Sequence, residues 1–341
     1  MWAGSAALFA YAGISFRVAR RFLAIAQQLV REGNVRDQFV HRSMRFVIDY
    51  LAGDWGADRV VPEGLVEQAI RYGQLWDVQT YLGLRCEQCI HQGAFDAARA
   101  GIGRLAHLVD AYRYDFARSN ASYMPAALLV ERRDLGAALA TLERYFADRP
   151  EESLVLLALG MRAKIQTLAG DREGAAATLV QAAPLAGRLV PPYHRSAYLA
   201  SRFLLDVTTL EATIDADGGR RQLVRRARAS ARRLLGVAGL VARERPQAYR
   251  LAGRLDWLTG RQDRALGWWA RAVAAGEALG ARPELARTYM EIGQRLRGAG
   301  SRHRALGGIE AADYLMRAER LFRELDLGWD LERLEAERRA A

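Results

Sequence analysis

The stretch Pro246 to Leu296, PQAYRLAGRLDWLTGRQDRALGWWARAVAAGEALGARPELARTYMEIGQRL, contains the pattern that decides the fold. Small and apolar residues recur in it three and four positions apart, which is the period of a helix face packed on a neighbour. Gly260 ends the first helix, and Ala265, Trp269 and Ala272 form the apolar stripe of the second. A proline separates the second helix from the third. Such a unit buries little surface alone, so the stretch predicts a chain of similar units that stack on one another.

The same combination of turn and alanine recurs upstream. In the segments GAFDAA, RDLGAA, GDREGA and GRQDRA a turn residue is followed five positions later by alanine, and these segments begin at Gly93, Arg133, Gly170 and Gly260. Their starts are 40, 37 and 90 residues apart, so a unit with longer helices is expected between the last two, over residues 192–243. Alternation of apolar and polar residues at period two is almost absent, which predicts an all-α protein.

The periodicity predicts helices along the whole chain. They are expected at residues 2–12, 14–32, 35–52, 63–72, 75–92, 94–113, 121–132, 135–147, 151–169, 172–188, 193–214, 220–241, 246–259, 263–279, 283–297 and 309–337. The last of these contains a closing helix pair over Tyr314 to Leu334. We divide the chain into N-terminal helices of the array (1–60) and repeats with a C-terminal capping helix pair (61–341), because Gly53 to Gly64 has loop composition.

Composition narrows the class of protein further. The formal charge is +11 and the pI is about 10.1, yet Lys164 is the only lysine among 50 lysine and arginine residues. A basic balance favours acidic proteins, nucleic acid or anionic membranes as partners. Two cysteines provide no disulfide framework and favour a reducing compartment. The apolar N-terminus is followed by arginines, so it predicts a buried first helix in a cytoplasmic protein more than a membrane anchor or a cleaved leader.

The spacing of small and aromatic residues resembles the tetratricopeptide repeat, with Tyr249, Gly253, Gly260, Ala265, Trp269 and Ala272 at its signature positions. The resemblance implies a right-handed α-solenoid of tetratricopeptide-like helical hairpins. The segments LVEQAIRYGQLWDVQTYLGL, HQGAFDAARAGIGRL and RAERLFRELDLGWDLERLEA also resemble the C-terminal helical regions of large bacterial signalling proteins, in which a signalling ATPase is joined to a kinase, nucleotide cyclase or transcription-factor domain. The resemblance implies a regulatory, protein-binding region, either a fragment or a stand-alone relative.

The search for chemistry finds no catalytic, cofactor or metal site. The single lysine has no glycine-rich loop around it, which excludes a P-loop. Cys86, Cys89 and His91 come nearest to a site, but a haem site needs the histidine directly after the second cysteine, and a zinc site needs more ligands. We expect the two cysteines to pack inside a helical unit, with redox sensing or metal binding as alternatives. Glu151 and Glu152 are expected to stabilise a helix start.

The groove positions of the repeat are the candidate partner-binding surface. Transferred onto this chain, they are Glu87 and Lys164 in earlier units and Arg250, Arg254, Trp257, Met290, Gln294 and Arg297 in the later ones, with Trp268 as a weaker addition. Arginine, tryptophan and methionine together suit an acidic and apolar peptide. We therefore predict a non-catalytic module that binds a protein, a peptide or an adjoining domain along its concave face.

A second candidate surface is an arginine stripe. Arg221, Arg225, Arg228 and Arg232 share one face of a predicted helix. This pattern is typical of a solvated face, and it also suits an acidic partner, because guanidinium groups bind carboxylates two at a time. A nucleic-acid-binding helical protein is the alternative, although no aromatic residues interleave with the arginines. A small-molecule sensor stays open, and no residue selects a ligand for it.

Overall fold

The structure is a computed structural model that describes residues 2–31, 33–148, 152–188, 190–213 and 219–340. These ranges contain seventeen α-helices and one two-residue β-hairpin, which confirms the all-α class. The helices are α1 Trp2–Tyr11, α2 Phe16–Leu29, α3 Val35–Ala52, α4 Glu63–Arg71, α5 Leu75–Gln92, α6 Phe95–Tyr112, α7 Asp115–Arg132, α8 Leu135–Ala147, α9 Glu152–Leu168, α10 Arg172–Ala186, α11 Pro192–Ala212, α12 Arg220–Ala238, α13 Arg245–Leu258, α14 Gln262–Leu279, α15 Arg282–Arg297, α16 Ala311–Glu324 and α17 Gly328–Ala340. Short 3₁₀ turns occupy Ala57–Arg59 and Ala242–Glu244.

Two predicted helices differ from the structure. α7 begins six residues earlier than predicted, and Asn120 lies inside it, where its amide donates to Gln79 on α5 at 2.6 Å. The segment predicted as helical over 309–337, with a closing helix pair in it, begins with strand residues Ile309–Glu310 and contains the two helices α16 and α17. The break between them falls at Asp326, whose φ of 52° is left-handed and cannot continue a helix. The predicted helix ends at Glu151 and residue 214 lie outside the described residues, as does the capping role of Glu151.

The unit formed by α13 and α14 has the packing that its pattern predicts. Trp269 is fully buried, and its indole N–H donates to the carbonyl of Arg250 at 3.2 Å. Gly253 lies directly under the indole, where a β-carbon would come within 2.3 Å of its nitrogen. Ala265 and Ala272 are fully buried along the same stripe. The small residues are therefore required because the tryptophan occupies the space between the two helices.

The recurring turns also have one geometry. The four turn residues at the starts of GAFDAA, RDLGAA, GDREGA and GRQDRA all have positive φ, namely Gly93, Arg133, Gly170 and Gly260. The four alanines that follow five positions later are fully buried: Ala98, Ala138, Ala175 and Ala265. Each turn thus reverses the direction of the chain. The alanine near the start of the next helix then packs against the preceding helix. The repetition of this arrangement makes the fold helical-repeat-like.

Alternate helices pack side by side along the chain. We call α3, α5, α7, α9, α11, α13 and α15 the inner helices, because most of the buried charged side chains come from them. Contacts also join distant parts of the chain: α15 contacts α5, and Gly53 at the end of α3 lies against Ala242 and Leu279. The inner helices therefore enclose an interior in which charges from both halves of the chain meet.

The two ends of the chain contain less regular features. Ala3, Ala6 and Ala10 of α1 are buried, whereas Trp2 and Leu8 are exposed, so one face of the predicted first helix packs on the protein. Near the other end, β1 (Ala305–Leu306) and β2 (Ile309–Glu310) form a hairpin whose turn is two glycines with positive φ. The sequence analysis missed this hairpin, although a Gly-Gly pair between apolar residues is a hairpin signal. In the described ranges, every helix is too short or too polar to cross a membrane.

Candidate functional site

Two concave features lie between the inner helices, and the first is an apolar groove of about 450 Å³. Its walls come from α1, α3, α5, α7, α9 and α11 and include Ala7, Leu8, Tyr11, Val40, Met44, Val47, Trp76, Leu84, Met124, Leu154 and His194. Leu8 and Trp76 stand at its rim with 67% and 52% of their surface exposed. Several polar groups in the groove are paired with each other, for example Tyr11 with His194 at 2.6 Å. The groove therefore offers apolar surface with few free polar groups.

The second feature is a charged chamber of about 90 Å³ deeper in the interior. Residues of α5, α7, α9, α11, α13 and α15 and of the 3₁₀ turn Ala242–Glu244 surround it: Glu87, Ile90, His91, Tyr123, Ala127, Val130, Glu131, Met161, Lys164, Ala197, Ala200, Ser201, Arg243, Glu244, Gln247, Ala281 and Glu284. It brings together Glu87 and Lys164, two of the groove positions named from the sequence.

Glu87 and Arg243 form the centre of one buried network around the chamber. The Glu87 carboxylate accepts hydrogen bonds from the Tyr50 hydroxyl at 2.6 Å and the Tyr193 hydroxyl at 2.9 Å, and it is paired with Arg243. Arg243 also donates to Glu244 at 3.0 Å and lies 4.5 Å above the ring of Tyr193. Burial alone would raise the pKa of Glu87, but Arg243 and the hydroxyl donors outweigh it and lower that pKa. Glu87 is thus held as a carboxylate.

Arg287 on α15 is the centre of a second buried network. Its guanidinium is paired with Glu131 of α7 and donates to Asp330 of α17 at 2.8 Å and to the Glu131 carbonyl at 2.7 Å. Arg133 lies 4.0 Å from Asp330, and burial with the charge of Arg287 lowers the pKa of Arg133 to about 10. The network joins three helices that are far apart in the sequence, so it clamps the C-terminal helices onto α7.

Arg250 and Arg254, the central residues of the predicted partner surface, form a third network. Arg250 donates to Glu284 at 2.6 Å, and Arg254 donates to both oxygens of Glu291 at 2.8 and 2.9 Å. Burial opposes ionisation of Glu291, but Arg254 and its neighbours lower its pKa to about 2. These guanidinium groups are therefore already paired with carboxylates of the protein. A partner would bind them only by displacing Glu284 and Glu291.

The remaining residues of that surface have different environments. Met290 is buried, Trp257 and Gln294 are partly buried, and Arg297 is exposed. Trp257 packs against Trp269 with ring centroids 5.4 Å apart. Trp268 is partly buried: its indole N–H donates to Asp256 at 3.2 Å, and its ring lies near Tyr249 and Arg271. These side chains do not form one continuous exposed patch.

The arginine stripe lies on α12. Arg221, Arg225 and Arg232 are exposed and Arg228 is partly buried, while Ala227, Ala231 and Leu234 are buried on the other side. Within the described ranges, the four arginines make no ion pair or hydrogen bond. The neighbouring Arg226 differs, because it donates to the buried Asp206 at 2.5 Å. The stripe is therefore a row of solvated cations.

Cys86 and Cys89 are both buried thiols, as the packing interpretation expects. Gly101 of α6 lies so close to Cys86 that a β-carbon there would be 2.5 Å from the sulfur. Burial raises the pKa of Cys86 to about 12, with a smaller contribution from Cys89. In the part of the chain that the structure describes, no group of three or more histidine, cysteine or acidic side chains could hold a metal ion.

Sequence reasoning missed two features. The rim residues Leu8 and Trp76 were not singled out, although Tyr72 and Trp76 are two exposed aromatic residues only four positions apart in the sequence. Arg243, Glu131 and Arg287 were also missed, because each meets a partner more than 100 residues away. No model of a known protein family matches the chain, and no curated protein matches it.

Proposed function

We propose that the chain is a non-catalytic module for protein recognition or regulation in a bacterial signalling protein of the cytoplasm. We further propose that its helices form a right-handed α-solenoid of tetratricopeptide-like hairpins. The repeated turn and alanine positions and the side-by-side inner helices support that architecture. The apolar groove carries the binding proposal, because Leu8 and Trp76 stand exposed above an apolar wall.

The groove favours a partner segment with an apolar face. Large exposed side chains around a concave apolar surface are typical of sites that receive the side chains of a helix or an extended peptide. Arg36 is exposed and close to Asp77, which lines the groove, and the whole chain has a formal charge of +11. We therefore expect acidic residues beside the apolar ones in the partner. The partner is a separate protein or an adjoining domain of the same polypeptide.

A peptide selection tests the groove. Peptides are selected from a displayed library with the wild-type chain as bait, and their Kd values are measured by fluorescence anisotropy. The double variant Leu8→Ser/Trp76→Ala should weaken binding by about thirtyfold to nearly a thousandfold, because two central apolar anchors contribute on the order of 1–2 kcal/mol each. The matched control is Val180→Ser/Met316→Ser, which removes two equally exposed apolar residues outside the groove and should leave the Kd unchanged.

Two results would contradict the proposal. Equal affinity of the selected peptides for the groove variant and the wild type would place the contact surface elsewhere. A selection that enriches no peptide above background would count against peptide recognition altogether.

The arginine stripe supports nucleic-acid binding as a second candidate function. Three exposed guanidinium groups on one helix face, without carboxylate partners, suit a row of phosphates. A salt titration with duplex and single-stranded oligonucleotides tests this candidate. Tight binding that weakens steeply with salt and is lost in Arg221→Gln/Arg225→Gln/Arg232→Gln would favour it. Weak binding that the triple variant leaves unchanged would reject it.

A further inference from the structure

A third concave feature lies near the N-terminal end of the chain, between α2, α3 and the 3₁₀ turn Ala57–Arg59. It has a volume of about 440 Å³, and we call it the arginine recess. Four guanidinium groups and two side-chain amides line it, namely those of Arg31, Arg42, Arg45, Arg59, Gln27 and Gln38. Asp58 is the one carboxylate among the described residues of this lining. The recess therefore concentrates positive charge in one place.

Two of the four arginines are paired with carboxylates of the protein. Arg59 lies 2.9 Å from Asp54 and 3.3 Å from Asp58. Arg45 lies 3.4 Å from the buried Asp49, whose carboxylate is also 3.8 Å from Arg59. These contacts hold both guanidinium groups in position at the wall of the recess and neutralise much of their charge.

The other polar groups of the recess are free. Arg31 and Arg42 are exposed, and neither makes an ion pair or a hydrogen bond with a described residue. The same holds for the side-chain amides of Gln27 and Gln38. His41 also lines the recess and is only 7% exposed, and its Nε2 atom has no hydrogen-bond partner in the described ranges. Buried polar groups are almost always paired with protein, water or ligand, so the recess offers several groups to a ligand.

The cations of α3 lie together. Gln38, Arg42 and Arg45 stand at i, i+4 and i+7, which places them on one face of that helix. Burial lowers the pKa of the His41 imidazole, and the charges of Arg45 and Arg42 lower it further, so both guanidinium groups are close to the ring. An anion bound beside them would offset this mutual repulsion.

The residue types indicate the chemistry of the ligand. Guanidinium forks bind phosphate oxygens two at a time, and two unpaired guanidinium groups suit the two charges of a phosphate monoester. The amides of Gln27 and Gln38 can each donate and accept, as the hydroxyl groups of a sugar or polyol require. Among the described residues that line the recess, none is tryptophan, tyrosine or phenylalanine, so no such ring is present on which a nucleotide base could stack.

We propose that the arginine recess binds the phosphate monoester of a small sugar or polyol, with the phosphate on Arg31 and Arg42 and the hydroxyl groups on Gln27 and Gln38. A cavity of roughly 150 Å³ takes benzene, so the volume of about 440 Å³ admits about eighteen non-hydrogen atoms. A hexose phosphate is within that limit, whereas a nucleotide is larger. The recess shares no lining residue with the apolar groove, so this ligand binds in addition to a protein partner.

Calorimetry and thermal unfolding of the full chain, in a buffer without phosphate, test the chemistry. Glucose 6-phosphate and glycerol 3-phosphate are the probes, and both should bind and raise Tm. Glucose lacks the charge and should not bind. Inorganic phosphate lacks the hydroxyl groups, adenosine monophosphate exceeds the volume, and a phosphoserine peptide carries its phosphate on a polypeptide. These three should bind at least several-fold more weakly than glucose 6-phosphate.

Variants locate the binding in the recess. Arg31→Gln/Arg42→Gln should weaken the binding of glucose 6-phosphate at least tenfold, because the phosphate loses its charged donors. The matched control is Arg221→Gln/Arg225→Gln, which removes two exposed and unpaired arginines of α12, changes the net charge equally and should leave the Kd unchanged. Gln38→Leu keeps every charge and should weaken binding several-fold.

Four results would overturn the proposal. Neither probe binds, or one of the three weaker ligands binds as tightly as glucose 6-phosphate. Alternatively, the two arginine double variants weaken binding equally, which would indicate attraction by net charge alone, or the Arg31→Gln/Arg42→Gln variant binds like the wild type. If that variant does not fold, the Gln38→Leu result decides, and unchanged binding there counts against the site.

Discussion

Replacing Arg287 by methionine should destabilise the protein more than any exposed arginine replacement. The side chains of Arg287 and Asp330 are only 3% and 2% exposed, and Glu131 is also buried. Methionine fills the space but leaves two buried carboxylates without their main cation, since Arg133 is 4.0 Å from Asp330. Removing one partner of a buried ion pair typically costs about 3–5 kcal/mol. We expect a loss of that size in the free energy of unfolding, measured by urea titration followed by circular dichroism.

The matched control is Arg282→Met on the same helix. Arg282 pairs with Glu324, but both side chains are nearly half exposed, so the loss should stay within about 1 kcal/mol. In a double variant, Glu131→Gln removes one of the two unpaired charges and should recover part of the loss caused by Arg287→Met. Equal losses for Arg287→Met and Arg282→Met would refute the view that the buried network holds the C-terminal helices in place.

Three further predictions concern other buried groups. Burial raises the pKa of Asp49 from 3.8 to about 6, so ionising it costs stability as pH rises from about 4 to 6. Asn at this position cannot ionise, so the stability of Asp49→Asn relative to the wild type should rise by up to about 3 kcal/mol between pH 4 and pH 8. The free energies of unfolding are measured by urea titration at each pH, and a difference that does not change with pH would contradict this prediction. Gly253→Ala should lower the free energy of unfolding by about 1–3 kcal/mol, because its methyl group would collide with Trp269. The control Gly267→Ala, at an exposed helical position, should raise it by up to about 1 kcal/mol. Equal changes in Tm for the two variants would refute the packing argument. Since the pKa of Cys86 is about 12, a maleimide at pH 8 should label the folded chain far more slowly than the chain in urea, and fast labelling of the folded chain would revive the redox interpretation.

Local patterns were enough to predict the helical units. A turn residue and an alanine five positions later belong to one helical hairpin, so their spacing in the sequence is enough to predict the turn and the buried alanine. Gly93 and Gly260 therefore have the left-handed backbone that a turn needs, and Ala98 and Ala265 are buried as the pattern requires. The sequence also predicted a closing helix pair, but not that the break between its helices falls at Asp326, because a non-glycine residue with positive φ has no reliable signal in an otherwise helical stretch.

The candidate sites depend on contacts that no local pattern contains. The helical period places Arg250 and Arg254 on one face, but it does not tell whether Glu284 and Glu291 will occupy that face before a partner does. Lys164 was named from its position in a repeat, and the structure adds that it stands without a partner beside the chamber.

By itself, the sequence determined the all-α class, the order of most helices and the small residues that let them approach. Only the tertiary structure decided which charges are buried together and where an apolar groove and a charged chamber remain open. The reason is distance along the chain. Side chains on one face of a helix recur every three to four residues, so a short stretch of sequence shows which face is packed. Arg243 and Glu87, and likewise Arg287 and Glu131, are 156 residues apart in the sequence, and no short pattern predicts that they meet.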